Sequence, residues 1–323
     1  MRWNKPRPHW TTVRGASLAA TWGALLSFAI LLSACVSDSE PRRQQRQAEA
    51  AINSQLSALA RLLPGTYGNY QQFHSQRDER GLDDAPAPPL LSLEITASGD
   101  IDDDLQYQVH QWTRGDSDTE RRFHWRLSVA EPHILLAITP LSNPAARPCL
   151  LRLLPTANGF SASASPQQCA VGDPNRGLGL RKEILINLNG ITIADQVIQA
   201  GASEPVASSI LRFQRINDYE GWAGLRNERG EWTLAQPFRL HNDGDSVLLS
   251  DVRGESLGYR LQLARVIYRQ DQPAILRLAL YREPAADDPS AAAMTAYAWS
   301  SPEAAQIGLN LDWFQAGLSR TQE

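Results

Sequence analysis

Leu105-Gln106-Tyr107-Gln108-Val109-His110 and Phe123-His124-Trp125-Arg126-Leu127-Ser128-Val129 are the two stretches whose alternation decides the fold. In each, every second residue is large and apolar and those between are mostly polar. A period of two puts the two sets on opposite faces of a strand, one for a core and one for water. Leu91, Leu93 and Ile95, alternating with Ser92, Glu94 and Thr96, repeat the pattern, and Ser98-Gly99-Asp100 and Arg114-Gly115-Asp116 supply the turns between them. Further strands are expected over 133–139, 149–154, 181–188 and 191–198, the last two joined by Asn189-Gly190, a strong two-residue hairpin signal.

Upstream the period changes. Ile52, Leu56, Leu59 and Leu63 fall on one face of a helix that begins near Ala48 and stops at Pro64-Gly65. The charged, Pro-rich stretch from Gln71 to Pro89 reads as an exposed loop. Many short strands after one leading helix point to a mainly β protein built on an antiparallel barrel or sandwich. A second strand series begins near Ser209, after a small, polar joint from Ala200 to Ser208. The expected organisation is a β-barrel domain over 48–200 and a C-terminal β domain over 209–323. Whether the second region is a barrel of its own is open at this point.

The first 34 residues read as a signal peptide. Arg2, Lys5, Arg7 and Arg14 precede an apolar run from Ala16 to Leu32, and Leu32-Ser33-Ala34-Cys35 follows. Small residues directly before a cysteine make this a lipobox, with Cys35 as the lipidated first residue of the mature protein. Val36, rather than Asp, follows the cysteine, which by the bacterial sorting convention directs a lipoprotein to the outer membrane, facing the periplasm. Residues 35–47 then read as a polar tether. Acyl chains contribute about 0.8 kcal/mol per buried CH₂, so the partner expected at this end is membrane lipid.

Removing the leader makes the chain more acidic than the −4 of the whole sequence, which disfavours nucleic acid as a partner. Besides Cys35, the cysteines are Cys149 and Cys169. In an oxidising compartment this pair reads as a disulfide, with two free thiols as the other reading. No His or further Cys stands at ligand spacing beside either, so no metal is expected there.

The segment from Leu59 to Gln199 resembles the CpcT/CpeT family, the T-type lyases that attach bilins to phycobiliprotein cysteines. The resemblance is carried by Leu59-Ala60-Arg61-Leu62-Leu63-Pro64-Gly65-Thr66-Tyr67-Gly68-Asn69 and Gln108-Val109-His110-Gln111. It continues in Phe123-His124-Trp125-Arg126, Cys149, Gly159-Phe160, Cys169, Lys182-Glu183 and Thr192-Ile193-Ala194-Asp195. It implies a calycin- or lipocalin-like barrel with a ligand cleft, and a bilin or related tetrapyrrole as ligand. Where the family pattern carries Glu, and later Arg and Gln, this chain has His110, His124 and Trp125, while Arg126 keeps the family type. Those replacements favour ligand binding over bilin attachment.

His110, Trp112, His124 and Arg126 share the face opposite the aliphatic stripe of their strands, so they would line either one pocket or one outer surface. They are the candidate ligand-binding residues. Two other motifs carry less. Gly254-Glu255-Ser256-Leu257-Gly258 fits the serine-hydrolase elbow, but a strand pattern follows it and no His lies beyond His241, so it reads as a hairpin turn. Asp100-Ile101-Asp102-Asp103-Asp104 and His241-Asn242-Asp243-Gly244-Asp245 read as polar turns, the first lacking the Gly and Glu of a calcium loop. Three functions remain: an envelope binding protein for an apolar or tetrapyrrole-like ligand, a bilin lyase, or an interaction module that meets a second copy or an envelope protein.

Overall fold

The computed structural model describes residues 39–80, 89–101, 104–130, 132–169, 177–269, 272–283 and 293–321. The leader and Cys35 lie outside this range. Among the described residues no helix is long and apolar enough to cross a membrane.

Helix α1 (Ser39–Leu62) begins well before Ala48, so residues 39–47 are helical where a tether was expected. The stretch is rich in Gln and Arg, which favour helix without any apolar periodicity to announce it. Leu59 in its second half and Leu63 just past its end are fully buried. Ten strands then close an antiparallel barrel: β1 (Gly65–Gly68), β2 (Leu91–Ile101), β3 (Asp104–Thr113), β4 (Asp116–Ala130), β5 (His133–Pro140), β6 (Cys149–Thr156), β7 (Gly159–Ala164), β8 (Leu178–Asn187), β9 (Gly190–Gln199) and β10 (Pro205–Arg215). Each strand from β2 to β10 pairs with the next, and β1 lies between β2 and β10.

The alternation sets the register. Val109 opposes Phe123, Tyr107 opposes Trp125, and Leu105 opposes Leu127. Trp125 and Leu127 in turn oppose Ile138 and Leu136. These inward side chains join Tyr67, Phe160, Phe213, Leu59 of α1 and Leu63 just after it in one buried cluster. The barrel interior is therefore occupied by side chains.

Closure corrects the expected boundary at residue 200. The stretch from Ala200 to Ser208 is not a joint between domains: it turns at 200–204 and enters β10, which runs antiparallel to β9 from Pro205 and closes on β1. Ala207, Ser208 and Ser209 face water, so their composition carries no strand signal. The C-terminal sheets accordingly start at β11 rather than at Ser209. The expected loop from Gln71 is also corrected, because Tyr70–Arg80 forms helix α2.

Cys149 and Cys169 form the expected disulfide across 20 residues, with Cα atoms 4.5 Å apart. Loop closure of this length is worth about 3 kcal/mol in the chain-entropy picture.

The C-terminal region is a sandwich. One sheet holds β11 (Asp218–Arg226), β12 (Trp232–Leu234), β13 (Phe238–His241), β18 (Gln306–Asn310) and β19 (Phe314–Arg320). The other holds β14 (Asp243–Ser250), β15 (Ser256–Val266), β16 (Ile275–Arg282) and β17 (Met294–Ser300). Tyr219, Phe314 and Leu318 of the first sheet pack with Leu261, Leu263, Leu276 and Leu278 of the second in a common core. Gly254-Glu255-Ser256-Leu257-Gly258 spans the β14–β15 turn and the start of β15, as a hairpin reading requires.

Barrel and sandwich meet along a polar seam. Arg114, just past β3, donates Nε to Ser92 Oγ at 2.9 Å and Nη1 to the Asp243 carbonyl at 2.8 Å, and its Nη2 pairs with Asp243 Oδ2. Asp243 Oδ1 accepts the Tyr70 N–H at 3.2 Å, so a sandwich residue caps the first turn of α2. Gln72 ties α2 to β10, donating to the Ile210 carbonyl and accepting from the Arg212 N–H, both at 2.8 Å. A Cβ on Gly68 would lie 1.7 Å from Asp243 Oδ2, so only glycine lets the two chains approach this closely.

Candidate functional site

The structure puts His110, Trp112, His124 and Arg126 on the outer wall of the barrel. They alternate with the inward Val109, Trp125 and Leu127, and strand pleating sends them the other way. His110 stacks on Trp112 with ring centroids 4.6 Å apart, and its Nε2 lies 2.7 Å from Glu120 Oε1. His124 Nε2 is 3.0 Å from Gln106 Oε1, while Arg126 is 52% exposed with Nε 3.7 Å from Asp104. Each side chain thus has its own neighbour on one surface, and the four do not surround a common pocket.

Trp112 does reach a cleft, at the seam. With Thr66, Ser92, Arg114, Ile216, Asp218 and His241 it lines a cavity of about 310 Å³. Burial pushes the His241 pKa below the usual imidazole value, so this imidazole is neutral near pH 7. The Arg114 nitrogens are already engaged by Ser92 and Asp243. Arg114 and Ser92 are thus spent on joining barrel to sandwich, so the guanidinium of this cleft is already paired.

A larger cavity lies at the end of the barrel that α1 covers. Ala58, Arg61 and Leu62 of the helix face the β6–β7 turn (Pro155, Thr156, Ala157, Asn158, Gly159), Phe160, and the β8–β9 turn (Asn187, Leu188, Asn189) across about 840 Å³. That is within the ~300–1,000 Å³ of ordinary small-molecule sites. The helix end is fixed from below. The Tyr67 hydroxyl lies 2.8 and 2.9 Å from the carbonyls of Leu62 and Leu63, and Arg215 donates to that hydroxyl at 2.7 Å and to the Pro64 carbonyl at 2.8 Å. These partners satisfy carbonyls that a helix C-terminus leaves open and offset its negative dipole end. Burial also raises the Tyr67 pKa to about 12, so the phenol remains a neutral donor.

The chemistry of this second cavity is plain. Leu188 is 75% exposed, a large apolar side chain standing in water at the rim. Arg61 has no ion pair among the described residues, and Asn158 and Asn189 have side-chain amides without a hydrogen bond there. The lining contains no carboxylate, imidazole or thiol. It offers apolar contact, amides, the Thr156 hydroxyl and one cation, which suits binding, with no side chain in the lining that would act as a general base.

Sequence reasoning named Arg61, Leu62, Gly159 and Phe160 only as parts of a resemblance, and Asn189 as part of a turn. Their convergence depends on barrel closure, which brings three separate stretches together. Among the described residues no cluster of three or more His, Cys, Asp or Glu side chains is placed to hold a metal ion. No known protein family matches the chain, and no curated protein does.

Proposed function

We propose that this chain is an outer-membrane lipoprotein, anchored through Cys35, that binds a small apolar carboxylate at the helix-covered end of its barrel. The observation that carries the reading is the 840 Å³ cavity between α1 and the two hairpin turns, with Leu188 at its rim and Arg61 at its edge. An acyl chain or a flat apolar ring system would cover Leu62, Leu188 and the turn residues, and its carboxylate would pair with Arg61. The resemblance to T-type bilin lyases is the reason to count a linear tetrapyrrole among the ligands. The composition of the lining favours binding without bilin transfer.

Titrating the full chain with a fluorescent long-chain fatty acid, and separately with biliverdin, tests this and distinguishes the two sources of ligand. Saturable binding is expected near micromolar affinity, about −8 kcal/mol, for the better of the two. Leu188→Asp should weaken it by roughly 10-fold or more, since burying a leucine side chain contributes about 1.5–3 kcal/mol. Arg61→Ala should weaken it only a few-fold, because an exposed ion pair contributes about 0–1 kcal/mol. No saturation by either probe up to millimolar protein, or binding indifferent to Leu188→Asp, overturns the proposal.

A further inference from the structure

The outer face of the β12-β11-β19-β18 sheet carries a platform of two indoles. Glu220, Trp222, Gly224 and Arg226 alternate with the buried Tyr219 and Ala223, so they face away from the sandwich core. Trp222 opposes Gly317, which opposes Gly308, while Gly224 opposes both Leu234 and Gln315, and Gln315 opposes Asn310. Three outward positions in this patch therefore carry no side chain.

Edges of the indoles reach over the gaps. A Cβ on Gly317 would come 2.7 Å from Trp222 Nε1 and 3.1 Å from its Cε2, and one on Gly224 would come 3.3 Å from Trp232 Cε3. Trp222 remains 53% exposed and Trp232 43%. Gly224 and Gly317 are diagonal neighbours across the β11–β19 pair, about 7–8 Å apart in a regular sheet. Two partly exposed indoles, with Leu234 Cδ2 also 3.3 Å from a Cβ on Gly224, thus border neighbouring gaps in the face.

Planar polar groups flank them. Gln315 Nε2 donates to Asn310 Oδ1 at 3.0 Å, which leaves the Gln315 carbonyl and the Asn310 amide hydrogens for another partner. On the other side Glu220 and Arg239 are paired at 2.5 Å. Glu220 and Arg239 are matched to each other and Arg226 turns back onto its own loop, its Nε donating to the Gly230 carbonyl at 3.2 Å, so the face favours a neutral partner, and the acidic chain as a whole argues against a nucleic acid stacking there. A bare alkyl chain would leave the amides unmatched.

We infer that this face binds a neutral glycan strand of β-linked pyranose rings, and that acetamido-bearing rings suit it best. Such a ring has an apolar C–H face to lie on an indole and equatorial polar groups at its rim. The Gln315–Asn310 pair presents one acceptor and one set of donors to an acetamido group. Two adjacent indoles would meet successive rings of one strand. This site is separate from the cavity under α1, and neither depends on the other.

The test is a titration of the full chain with chitohexaose, followed by tryptophan fluorescence and calorimetry, with maltohexaose as a curved, α-linked comparison. Saturable binding of chitohexaose at roughly 0.1–1 mM is expected, with maltohexaose weaker. Trp232→Ala and Trp222→Phe should each weaken it about 3- to 10-fold, the range of one stacking contact. Fatty-acid binding should be unchanged in both variants. Trp222 also covers Gly317, so Trp232→Ala, at the sheet edge, carries the test if the Trp222 variant loses its fold. No fluorescence change or heat at 10 mM chitohexaose overturns the inference, as does binding that neither substitution affects. Self-association of the wild-type chain lost in Trp232→Ala also overturns it, assigning the face to a second copy instead.

Discussion

Replacing Asp243 by alanine is expected to destabilise the protein by about 3–5 kcal/mol, the usual cost of removing one partner of a buried ion pair. Asp243 is almost wholly buried, and Arg114 would be left facing the seam without its counter-charge. The same change removes the acceptor for the Tyr70 N–H at the start of α2. At about 2–4 °C per kcal/mol for a chain of this size, the melting temperature should fall by roughly 10 °C. Arg114→Met combined with Asp243→Ala should recover part of the loss, because neither charge is then stranded. A loss below about 1 kcal/mol in the single variant would mean that the seam is solvated and carries little stability.

The pH dependence of this seam has a definite sign. Burial raises the Asp243 pKa despite Arg114, so folding holds that proton more tightly than the unfolded chain does. On acidification this group adds stability, and it loses that contribution as pH rises through the folded pKa. His241 behaves in the opposite sense. Burial lowers its pKa, so the stability of keeping it neutral is present above about pH 6.5 and is lost as pH falls through the folded value. Mild acid therefore acts on the seam through His241, with Asp243 opposing it.

The second large effect concerns the anchor. Cys35→Ser is expected to abolish metabolic labelling with palmitate and to leave an uncleaved precursor, because the cysteine sulfur is the site of acylation in a lipobox. A multiply acylated cysteine buries enough CH₂ groups, at about 0.8 kcal/mol each, for firm membrane attachment, so fractionation should move with the label. Labelling that survives the substitution would remove the lipoprotein reading and with it the outer-membrane location.

Much of the barrel was legible because period-two alternation survives in β2, β3 and β4, where an apolar interior and a wet exterior act on every residue. Asn189-Gly190 likewise announced the β8–β9 hairpin. What escaped was set by partners distant in sequence. β1 is four residues long and β10 opens on Pro-Val-Ala-Ser-Ser, and both are held in place by neighbours on either side. Helix α2 has a polar sequence resembling a loop, and its first N–H is capped by Asp243, 173 residues later. Of the candidate site, alternation correctly grouped His110, Trp112, His124 and Arg126 on one face, yet periodicity cannot say whether a face looks into a barrel or out of it. Tyr107 and Trp125 decided that by facing the interior. The cavity under α1 left no local signal, since its lining comes from a helix end and two turns that closure brings together.

The most direct test of the central claim is photo-crosslinking of the full chain with a diazirine-bearing fatty acid, with peptides mapped by mass spectrometry. Label is expected on peptides covering 58–62, 155–160 and 187–189, suppressed by excess unlabelled fatty acid and reduced in Leu188→Asp. Label concentrated on the outer wall from His110 to Arg126 or on the Trp222–Trp232 face, or label that the competitor does not suppress, would contradict it.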